Sequence, residues 1–517
     1  MTGRSAPARL DDWIERHRVG VLVGFSIGYL LATCIRAWAK PFWHDEIFTL
    51  VASKLPSVGT LWTAQRDGLD LSPPLNTLLT RAVQSVTGVG RVASRLPPMI
   101  GFWVACLALF AIVRQRATAT LGLAAAVLPC FTAGYHYAYE SRGYGLTIGF
   151  AALALYTWSE AAAGRRRSLH LPWLAVALAA GIWSHYFAVL AFAPIVAGET
   201  VRDWRARRVD WGAWIAIAVG ALWAVPLLPL AAAGDSQAGT FWGRAAGATI
   251  AQIYVFLFLP VPEWGIVAGW AFMAALVIAA MLAVQRVVER PRVASVAESL
   301  PVHERVAAVT VLALPILGWL LGRLTGTGSA ARYLVFAVVG IGLVLPIAVW
   351  RLTPRHGWRA AFASLLVLGW FGQSAVDGLR IGREGFRDPV RARPLLVQQL
   401  DHPEPLVMTN GIVFLQCWYY ATPEWRGRVT YLDDPAEAFT YAASDTIDRG
   451  LLALKRWAPV SVQPYRDFIA VHREFRVYGL GAGWLLDRLR SSGATVDVIG
   501  READATLYNV HVRSGDR

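Results

Sequence analysis

The chain has 517 residues, of which 56% are hydrophobic and only 16% are charged. Soluble proteins average about 45–50% apolar and about 25% charged residues, so this composition excludes water-soluble domains for most of the chain and indicates a polytopic membrane protein. The formal net charge of +14 fits that class without nucleic-acid binding, because Arg and Lys accumulate in cytoplasmic loops.

The N-terminus resembles a secretory signal, with a basic start, an apolar run over 19–35 and a small-residue site at Ala37-Trp38-Ala39. The run is long for a signal core and Arg36 interrupts it, so we expect an uncleaved first helix. The four cysteines form neither a CxxC motif nor a Cys/His cluster. Neither a zinc site nor a disulfide framework is therefore predicted.

Eleven apolar runs are predicted to span the membrane, since a span needs about 20 apolar residues. They are 19–38, 96–113, 118–134, 144–162, 171–183, 186–199, 212–231, 265–285, 307–322, 333–350 and 358–377. The fifth and sixth lie within 169–199, between the arginine clusters at 165–167 and 202–208. If both clusters are cytoplasmic, this stretch is a hairpin with His185-Tyr186 at its outer tip. A single long helix is the alternative.

The arginines predict the orientation. The proposed cytoplasmic segments hold about 20 Arg, whereas the short outer loops hold Arg142, Arg244, Arg323 and Arg332. This asymmetry places the N-terminus inside, and eleven crossings place the C-terminus outside. We expect a multi-pass protein of a bacterial inner membrane with a periplasmic C-terminal domain.

Two regions are predicted along the chain. Residues 1–377 form the transmembrane part, whose outer loop 40–95 carries interfacial helices at 47–66 and 75–88; the segment 246–262 is either interfacial or re-entrant. Residues 378–517 form an extracytoplasmic α/β domain. Its predicted strands are 405–409, 428–432, 475–479, 495–499 and 505–512, and its predicted helices are 411–421, 443–457 and 483–491. A structural or lid role fits this domain, which has no nucleotide-binding loop.

Most ionisable candidates fall on the outer side, and such groups near a membrane suggest function. His44, Asp45 and Glu46 follow Phe42-Trp43 just outside the first span. The two acids, Asp45 and Glu46, are either catalytic carboxylates or ordinary acids at a helix N-terminus, where the helix dipole favours negative charge.

Between the third and fourth spans, residues 135–144 hold four tyrosines together with Glu140 and Arg142. Aromatic rings that stack on sugar faces, with hydroxyls beside them, suit a carbohydrate site. Tyr144 belongs to this group. The alternative is an interfacial tyrosine belt.

Two further outer motifs are Ser184-His185-Tyr186-Phe187 and Arg332-Tyr333. The histidine is either part of a pocket or structural, and Arg332 either binds substrate or extends to the interface. Arg142 and Arg332 together match the oxygens of a phosphate.

These residues fit one kind of chemistry. Nucleotide-activated donors are not found outside the cytoplasm, so a transferase there needs another activated donor. In a lipid-linked phosphate sugar the lipid stays in the bilayer while the arginines stabilise the leaving phosphate. A carboxylate then serves as the base for the acceptor hydroxyl.

The motifs resemble those of the GT-C superfamily, the polytopic glycosyltransferases that use polyprenyl-phosphate sugars, among them protein O-mannosyltransferases, the lipid A aminoarabinose transferase and rhizobial lipopolysaccharide-core transferases. They follow the family order as Asp45-Glu46, Ser72-Pro73-Pro74-Leu75, Arg95-Leu96-Pro97, Glu140-Ser141-Arg142-Gly143-Tyr144, His185-Tyr186-Phe187 and Arg332-Tyr333-Leu334. The resemblance covers about residues 20–350. Relatives often have His before the double proline, where this chain has Ser72; His44 is a possible substitute.

The resemblance implies a GT-C fold and inverting transfer of a sugar to a glycan, lipid or protein hydroxyl. Asp45 would be the base and Glu46 its support; Arg142 and Arg332 would face the donor phosphate. The implied pocket residues are His44, Glu140, Tyr144, His185, Tyr186 and Tyr333. Some relatives use a divalent metal, but too few carboxylates cluster here to require one, so no cofactor is predicted.

Two alternatives stay open at the level of sequence. A lipid-linked sugar flippase would usually show charged mid-span faces or inverted repeats with broken helices. A non-catalytic GT-C-like assembly protein would not need to keep Asp45. The whole ordered motif set favours the enzyme.

Overall fold

The computed structural model describes residues 6–235, 249–259, 266–288, 300–325, 330–353, 355–481, 483–502 and 504–512. It confirms an α-helical polytopic protein with a C-terminal α/β domain. The helices described up to residue 384 are α1 (Ala6–Arg16), α2 (Arg18–Ala39), α3 (His44–Ser53), α4 (Val58–Arg66), α5 (Leu75–Thr87), α6 (Leu96–Arg116), α7 (Ala119–Val127), α8 (Ala133–His136), α9 (Tyr144–Ala162), α10 (Arg167–Ser184), α11 (Phe192–Ala206), α12 (Trp211–Leu222), α13 (Leu228–Asp235), α14 (Ile250–Phe258), α15 (Ile266–Val288), α16 (Val302–Thr325), α17 (Val339–Leu352) and α18 (His356–Glu384).

Every predicted span falls on a helix or on closely joined helices. By length and composition, six helices in the described ranges can cross a membrane, or seven if the pair 119–131 and 133–139, bent by 70°, is one span. The protein is therefore multi-pass, and the number of eleven crossings stays a prediction. Helix α18 continues to Glu384, beyond the boundary predicted at 377.

The outer surface of α2 shows why these helices need lipid. Val19, Val23, Ile27 and Leu31 recur every four residues and are 51–70% exposed. Residues spaced by four lie on one face of a helix. This apolar stripe faces away from the protein, so it is suited to acyl chains.

Two sequence predictions differ from the structure in detail. The outer-loop helix predicted at 47–66 is two helices, α3 and α4, because Pro56 lacks an N–H and Ser57 Oγ caps α4 by accepting from Thr60 N at 3.0 Å. In the segment 246–262, residues 249–259 are described and hold α14, which is too short to cross a bilayer. Residues 246–248 and 260–262, like Arg244, lie outside the described residues.

The chain breaks at His185, where the backbone is extended between α10 and a 3₁₀ helix over Tyr186–Ala191. A methyl built on Gly181 would lie 3.7 Å from the Cβ of Ala188. Residues seven apart in a straight helix are about 10 Å apart, so the chain reverses here. The structure favours the two-helix alternative over one long helix.

A close helix crossing sets the outer ends of α6 and α9. A Cβ on Gly149 would lie 2.2 Å from the carbonyl oxygen of Gly101, and one on Gly145 would lie 2.4 Å from that of Pro98. Only small residues allow backbones to approach this closely. The crossing brings Arg95, just before α6, near Arg142, just before α9.

The C-terminal domain contains one mixed sheet. Its described elements are α19 (Pro394–Leu400), β1 (Leu406–Met408), α20 (Gly411–Tyr420), α21 (Pro423–Arg426), β2 (Val429–Asp433), α22 (Pro435–Ala442), α23 (Thr446–Lys455), β3 (Val462–Pro464), α24 (Tyr465–Val471), β4 (Glu474–Leu480), α25 (Trp484–Ser491), β5 (Thr495–Glu502) and β6 (Ala505–His511). The strand order is β3-β2-β1-β4-β6-β5. The first four strands are parallel, and β6 pairs antiparallel with β4 and β5. All five predicted strands and three predicted helices are present, and β3 is an additional strand.

A buried carboxyl joins α23 to the end of β2. The side chain of Asp448 is 2% exposed, and its Oδ1 accepts a 3.4 Å hydrogen bond from Asp434 N. Burial raises its pKa to about 7, with the charge of Asp433 acting in the same direction. Asp448 is thus largely protonated below neutral pH in the folded protein.

We expect Asp448→Asn to remove a pH dependence of stability. Between about pH 4 and pH 7 the folded state binds one more proton at Asp448 than the unfolded state, so its contribution to the free energy of unfolding falls as pH rises. Melting temperatures at pH 5.0 and pH 7.5 measure this: wild type should lose more than Asp448→Asn. The exposed Asp497→Asn is the control and should follow wild type. Equal losses in wild type and Asp448→Asn would contradict the assignment.

Candidate active site

A cavity of about 670 Å³ lies where α3, the loop before α5, the start of α9 and the break at His185 meet. Eight of the ten predicted site residues line it: His44, Asp45, Arg142, Tyr144, His185, Tyr186, Arg332 and Tyr333. Glu46 and Glu140 do not. Residues far apart in sequence therefore meet at one cavity of a size typical for small-molecule sites.

Asp45 is one of two carboxylates that line this cavity, and Asp70 is the other. The Oδ1 of Asp45 is 3.2 Å from His44 Nδ1, and its Oδ2 is 3.6 Å from Arg332 Nη2. Burial by itself raises its pKa, but the hydrogen bond with His44 and the charges of Arg142 and Arg332 outweigh burial and hold the pKa well below its usual range. The group is thus an ionised acceptor at neutral pH.

Arg142 is held by four oxygens. Its Nη1 donates to Asp70 Oδ2 at 3.0 Å, to the carbonyl of Asp45 at 3.1 Å and to Thr49 Oγ1 at 3.2 Å, and its Nη2 donates to Ser72 Oγ. A planar guanidinium fixed in this way presents its charge in one direction. Ser72 thus ties the double-proline motif to Arg142.

An aromatic group forms another side of the cavity. The His185 ring lies 5.2 Å from Tyr144 and 5.2 Å from Tyr333, and Phe187 lies 5.3 Å from Tyr333, between ring centroids. Burial, then the charges of Arg142 and Arg332, lower the pKa of His185 to about 3. Since Nδ1 accepts from Phe187 N at 3.2 Å, the neutral ring carries its proton on Nε2.

Glu46 lies behind the cavity in a buried ion pair. Its oxygens accept from Arg95 Nε and Nη2, both at 2.7 Å, and both side chains are 0% exposed. They also accept from Ser141 N at 2.6 Å and Trp43 N at 2.9 Å. Burial raises the pKa of Glu46, but the charge and hydrogen bonds of Arg95 outweigh it and lower the pKa.

Arg95 completes this buried group from its other nitrogens. Nη1 donates to the carbonyls of Ala37 at 2.6 Å and Lys40 at 2.8 Å, and Nη2 donates to that of Pro41 at 3.0 Å. The pair thus joins the end of α2, the start of α3 and the residue before Arg142. This location indicates that Glu46 positions the site.

Glu140 lies on the far side of the same segment. Its Oε1 is 3.4 Å from Lys40 Nζ, and its side chain is buried. Burial raises its pKa, and the charges of Glu46 and Asp45 add to the rise, against the opposing charge of Lys40. The pocket role predicted for Glu140 remains a prediction.

The remaining walls differ in character. Leu228, Ala231 and Ala232 of α13 give an apolar wall, whereas Thr446 and Gly450 of α23 come from the C-terminal domain. Within the part of the chain that the structure describes, no group of three His, Cys, Asp or Glu side chains could hold a metal ion. The expectation that no metal is required stays a prediction.

The sequence analysis missed several of these partners. Asp70 was not a candidate, although its position two residues before Ser72 was a possible signal. Arg95 appeared only as part of a motif, without its partner. The sequence around Thr446 and Gly450 contains no motif that indicates a site, because a threonine or a glycine in a helix is common in any α/β domain.

Comparisons with known proteins show what this chain is similar to. A family model described as dolichyl-phosphate-mannose-protein mannosyltransferase matches residues 72–229. The solved structure of ArnT from Cupriavidus metallidurans in the apo state covers 96% of this chain and 98% of its own, with a TM-score of 0.55 at 12% identity. The same protein bound to undecaprenyl phosphate covers 95% and 97%, with a TM-score of 0.53 at 12% identity.

The chain has the GT-C fold. The resemblance inferred from the motifs is thereby confirmed. The archaeal oligosaccharyltransferase AglB from Archaeoglobus fulgidus, in complex with an inhibitory peptide and a dolichol-phosphate, aligns with 90% of this chain and 70% of its own, at 11% identity and a TM-score of 0.47. No curated protein sequence gives a significant match.

We expect Glu46→Gln to destabilise the GT-C protein even though it changes no cavity residue. Removing one partner of a buried ion pair typically costs about 3–5 kcal/mol, because the other charge stays buried and unpaired. A melting temperature in detergent measures the loss. Glu15→Gln, at a partly exposed ion pair with Arg114, is the matched control and should melt like wild type. A Glu46→Gln protein that melts like wild type would contradict the positioning role.

Proposed function

We propose that the protein is a glycosyltransferase that moves a sugar from a polyprenyl-phosphate-linked donor to an acceptor hydroxyl, by inverting displacement at the outer face of the membrane. The observation that carries this proposal is the cavity in which the ionised carboxylate of Asp45 faces two arginines beside aromatic rings. Carboxylate, cations and rings supply respectively a base, a phosphate site and a sugar surface.

The donor phosphate binds between Arg142 and Arg332. Arg142 is held by Asp70 and Thr49, whereas Arg332 lies 3.6 Å from Asp45 and is 29% exposed, which leaves its guanidinium accessible to a ligand. The apolar wall of α13 suits the first isoprene units. The binding of undecaprenyl phosphate by ArnT, which has this fold, supports a lipid phosphate here.

The transfer step is a single displacement. The acceptor oxygen attacks the anomeric carbon and forms the new glycosidic bond, while the bond from that carbon to the phosphate oxygen breaks on the opposite face. Asp45 takes the hydroxyl proton. The leaving polyprenyl phosphate becomes a monoester that carries more negative charge than the diester, and Arg142 and Arg332 stabilise it.

The arginines also adjust the base. In the free protein their charges lower the pKa of Asp45, which makes it a weak base. A phosphate bound between them offsets those charges, so the pKa of Asp45 rises and its basicity increases. Donor binding therefore prepares Asp45 for the acceptor.

The other candidates have supporting roles. His44 orients Asp45, since its Nδ1 is within hydrogen-bond distance of Oδ1. Tyr144, Tyr333 and the neutral His185 line the sugar region, with Tyr186 beside them. Glu46 positions the site through Arg95, and the sugar itself is not assigned.

The orientation is part of the proposal. The arginine distribution supports a cytoplasmic N-terminus in a bacterial inner membrane, with the cavity and the C-terminal domain on the periplasmic side. A donor that is anchored in the bilayer and lacks a nucleotide suits that compartment. The acceptor is a glycan, a lipid or a protein that carries a hydroxyl.

A test of the proposal is transfer itself. We expect purified protein to move radiolabel from at least one member of a panel of undecaprenyl-phosphate-linked pentoses and hexoses to a cell-envelope extract. Asp45→Asn should fold normally and lower the rate about 100- to 10,000-fold, the usual range for a general base. Asp67→Asn, at an exposed position in the same loop, is the control. Wild-type turnover in Asp45→Asn would rule out the base, and lipid movement in liposomes without transfer would favour a flippase.

We expect Arg332→Gln to weaken the binding of undecaprenyl phosphate by about 10- to 100-fold, because hydrogen bonds to charged groups contribute about 1.5–3 kcal/mol. Arg332→Lys should lose less, since it keeps the charge but not the planar fork. Lipid binding to protein in detergent measures both. The control is Arg323→Gln, an exposed outer arginine that lies over Trp319. Unchanged affinity in Arg332→Gln would overturn the phosphate role.

A further inference from the structure

The C-terminal domain supplies part of the cavity wall. Thr446 and Gly450 are one turn apart on α23, so they lie on one face of that helix, and both line the cavity together with Asp45 and Phe48. A domain that only capped the membrane part would not need to line the cavity that holds Asp45.

Specific contacts fix this domain against the segment just before α3, the helix that carries Asp45. Phe42 N donates to the Tyr420 hydroxyl at 2.8 Å, and Gln416 Nε2 donates to the Phe42 carbonyl at 2.9 Å. The Phe42 ring packs edge-on against Tyr419 at 5.7 Å between centroids. Helix α20 thus holds the residue three positions before Asp45, and the same domain places α23 beside α3.

Neither backbone strain nor crowding requires glycine at position 450. Gly450 lies inside α23 without a positive φ, and a Cβ there would meet the Phe48 ring at 3.5 Å, an ordinary contact. Alanine is more favourable than glycine inside a helix. The effect of Gly450 is therefore the space that it leaves beside Phe48.

The α13 wall and the α23 wall suit different ligands. The α13 wall consists of apolar membrane-helix residues, which match a polyprenyl chain, whereas the α23 wall belongs to the domain outside the membrane. The two arginines proposed to bind the phosphate are Arg142, just before α9, and Arg332. Neither belongs to α23. A hydroxyl-bearing acceptor that arrives from the aqueous side would therefore meet α23.

Resting on the proposed transferase function, we infer that α23 forms the acceptor side of the active site and that Gly450 sets the room for the acceptor's hydroxyl-bearing group. Thr446 contributes the polar surface at the start of this wall. The domain is thus part of acceptor selection as well as a cover.

A size series at Gly450 tests the inference. With the donor and envelope extract that support wild-type transfer, the rate should fall with side-chain size, so that Gly450→Ala transfers faster than Gly450→Trp. Gly450→Trp should bind undecaprenyl phosphate within twofold of wild type but transfer at least tenfold more slowly. The control is Gly427→Trp, at an exposed turn of the same domain with no atom within 4 Å of an added Cβ. Unchanged transfer in a folded Gly450→Trp, or lost lipid binding, would overturn the inference.

A labelling experiment needs no acceptor. We expect Gly450→Cys in the full-length protein to react with a charged, water-soluble methanethiosulfonate, and saturating undecaprenyl phosphate to change that rate less than twofold. Ser72→Cys, beside Arg142, should be protected at least tenfold. Equal protection of both would place α23 on the donor side and overturn the inference. If the wild type transfers no sugar from the panel, the proposed function is wrong. If the wild type and Gly450→Trp transfer sugar at the same rate, only the inference about α23 is wrong.

Discussion

The buried ion pair of Glu46 and Arg95 is the constraint on which the site depends. Two opposite charges with no exposed surface persist only if hydrogen bonds satisfy their remaining atoms, and here backbone groups from the ends of three helical segments do so. Asp45 is the neighbour of one partner in sequence, and Arg142 follows Ser141, which donates to the same carboxylate. The proposed base and the proposed phosphate-binding arginine are therefore placed by a single pair that does not line the cavity.

Charge is distributed so that ligand binding changes the site. Before donor binding, Arg142 and Arg332 face Asp45 and Asp70, and the cavity is close to neutral. In the proposed reaction, a donor phosphate adds negative charge at the arginines and weakens their hold on Asp45. The same cations would thereby stabilise the leaving group and keep Asp45 a weak base until a donor is bound.

The sequence predicted the helices well and the contacts poorly. Each apolar run predicted a membrane helix, and the structure has a helix or closely joined helices on each run. This agreement arises because hydropathy is a local property of the sequence. The motifs located eight cavity residues, since aromatic and charged side chains stand out among apolar ones. The partner of Glu46 is 49 positions away at Arg95, and a pairing at such a distance depends on the packing of α6 against α9. The sequence does not predict strand β3, because it has only three residues and ends at Pro464. It does not predict a role for Gly450 either, because the space beside a glycine depends on residues that are distant in sequence.

The crossing of α6 and α9 has a consequence for how the site tolerates change. A methyl group on Gly149 would lie 2.2 Å from the Gly101 carbonyl oxygen, and one on Gly101 would lie 2.6 Å from the Cα of Leu146, so either would push the helices apart. The 2.6 Å hydrogen bond from Ser141 to Glu46 lies at the same ends of these helices and would be strained by that displacement. The geometry of the proposed site thus depends on two missing side chains one to two turns into α6 and α9, where a mutation would disturb the cavity without altering any group that lines it.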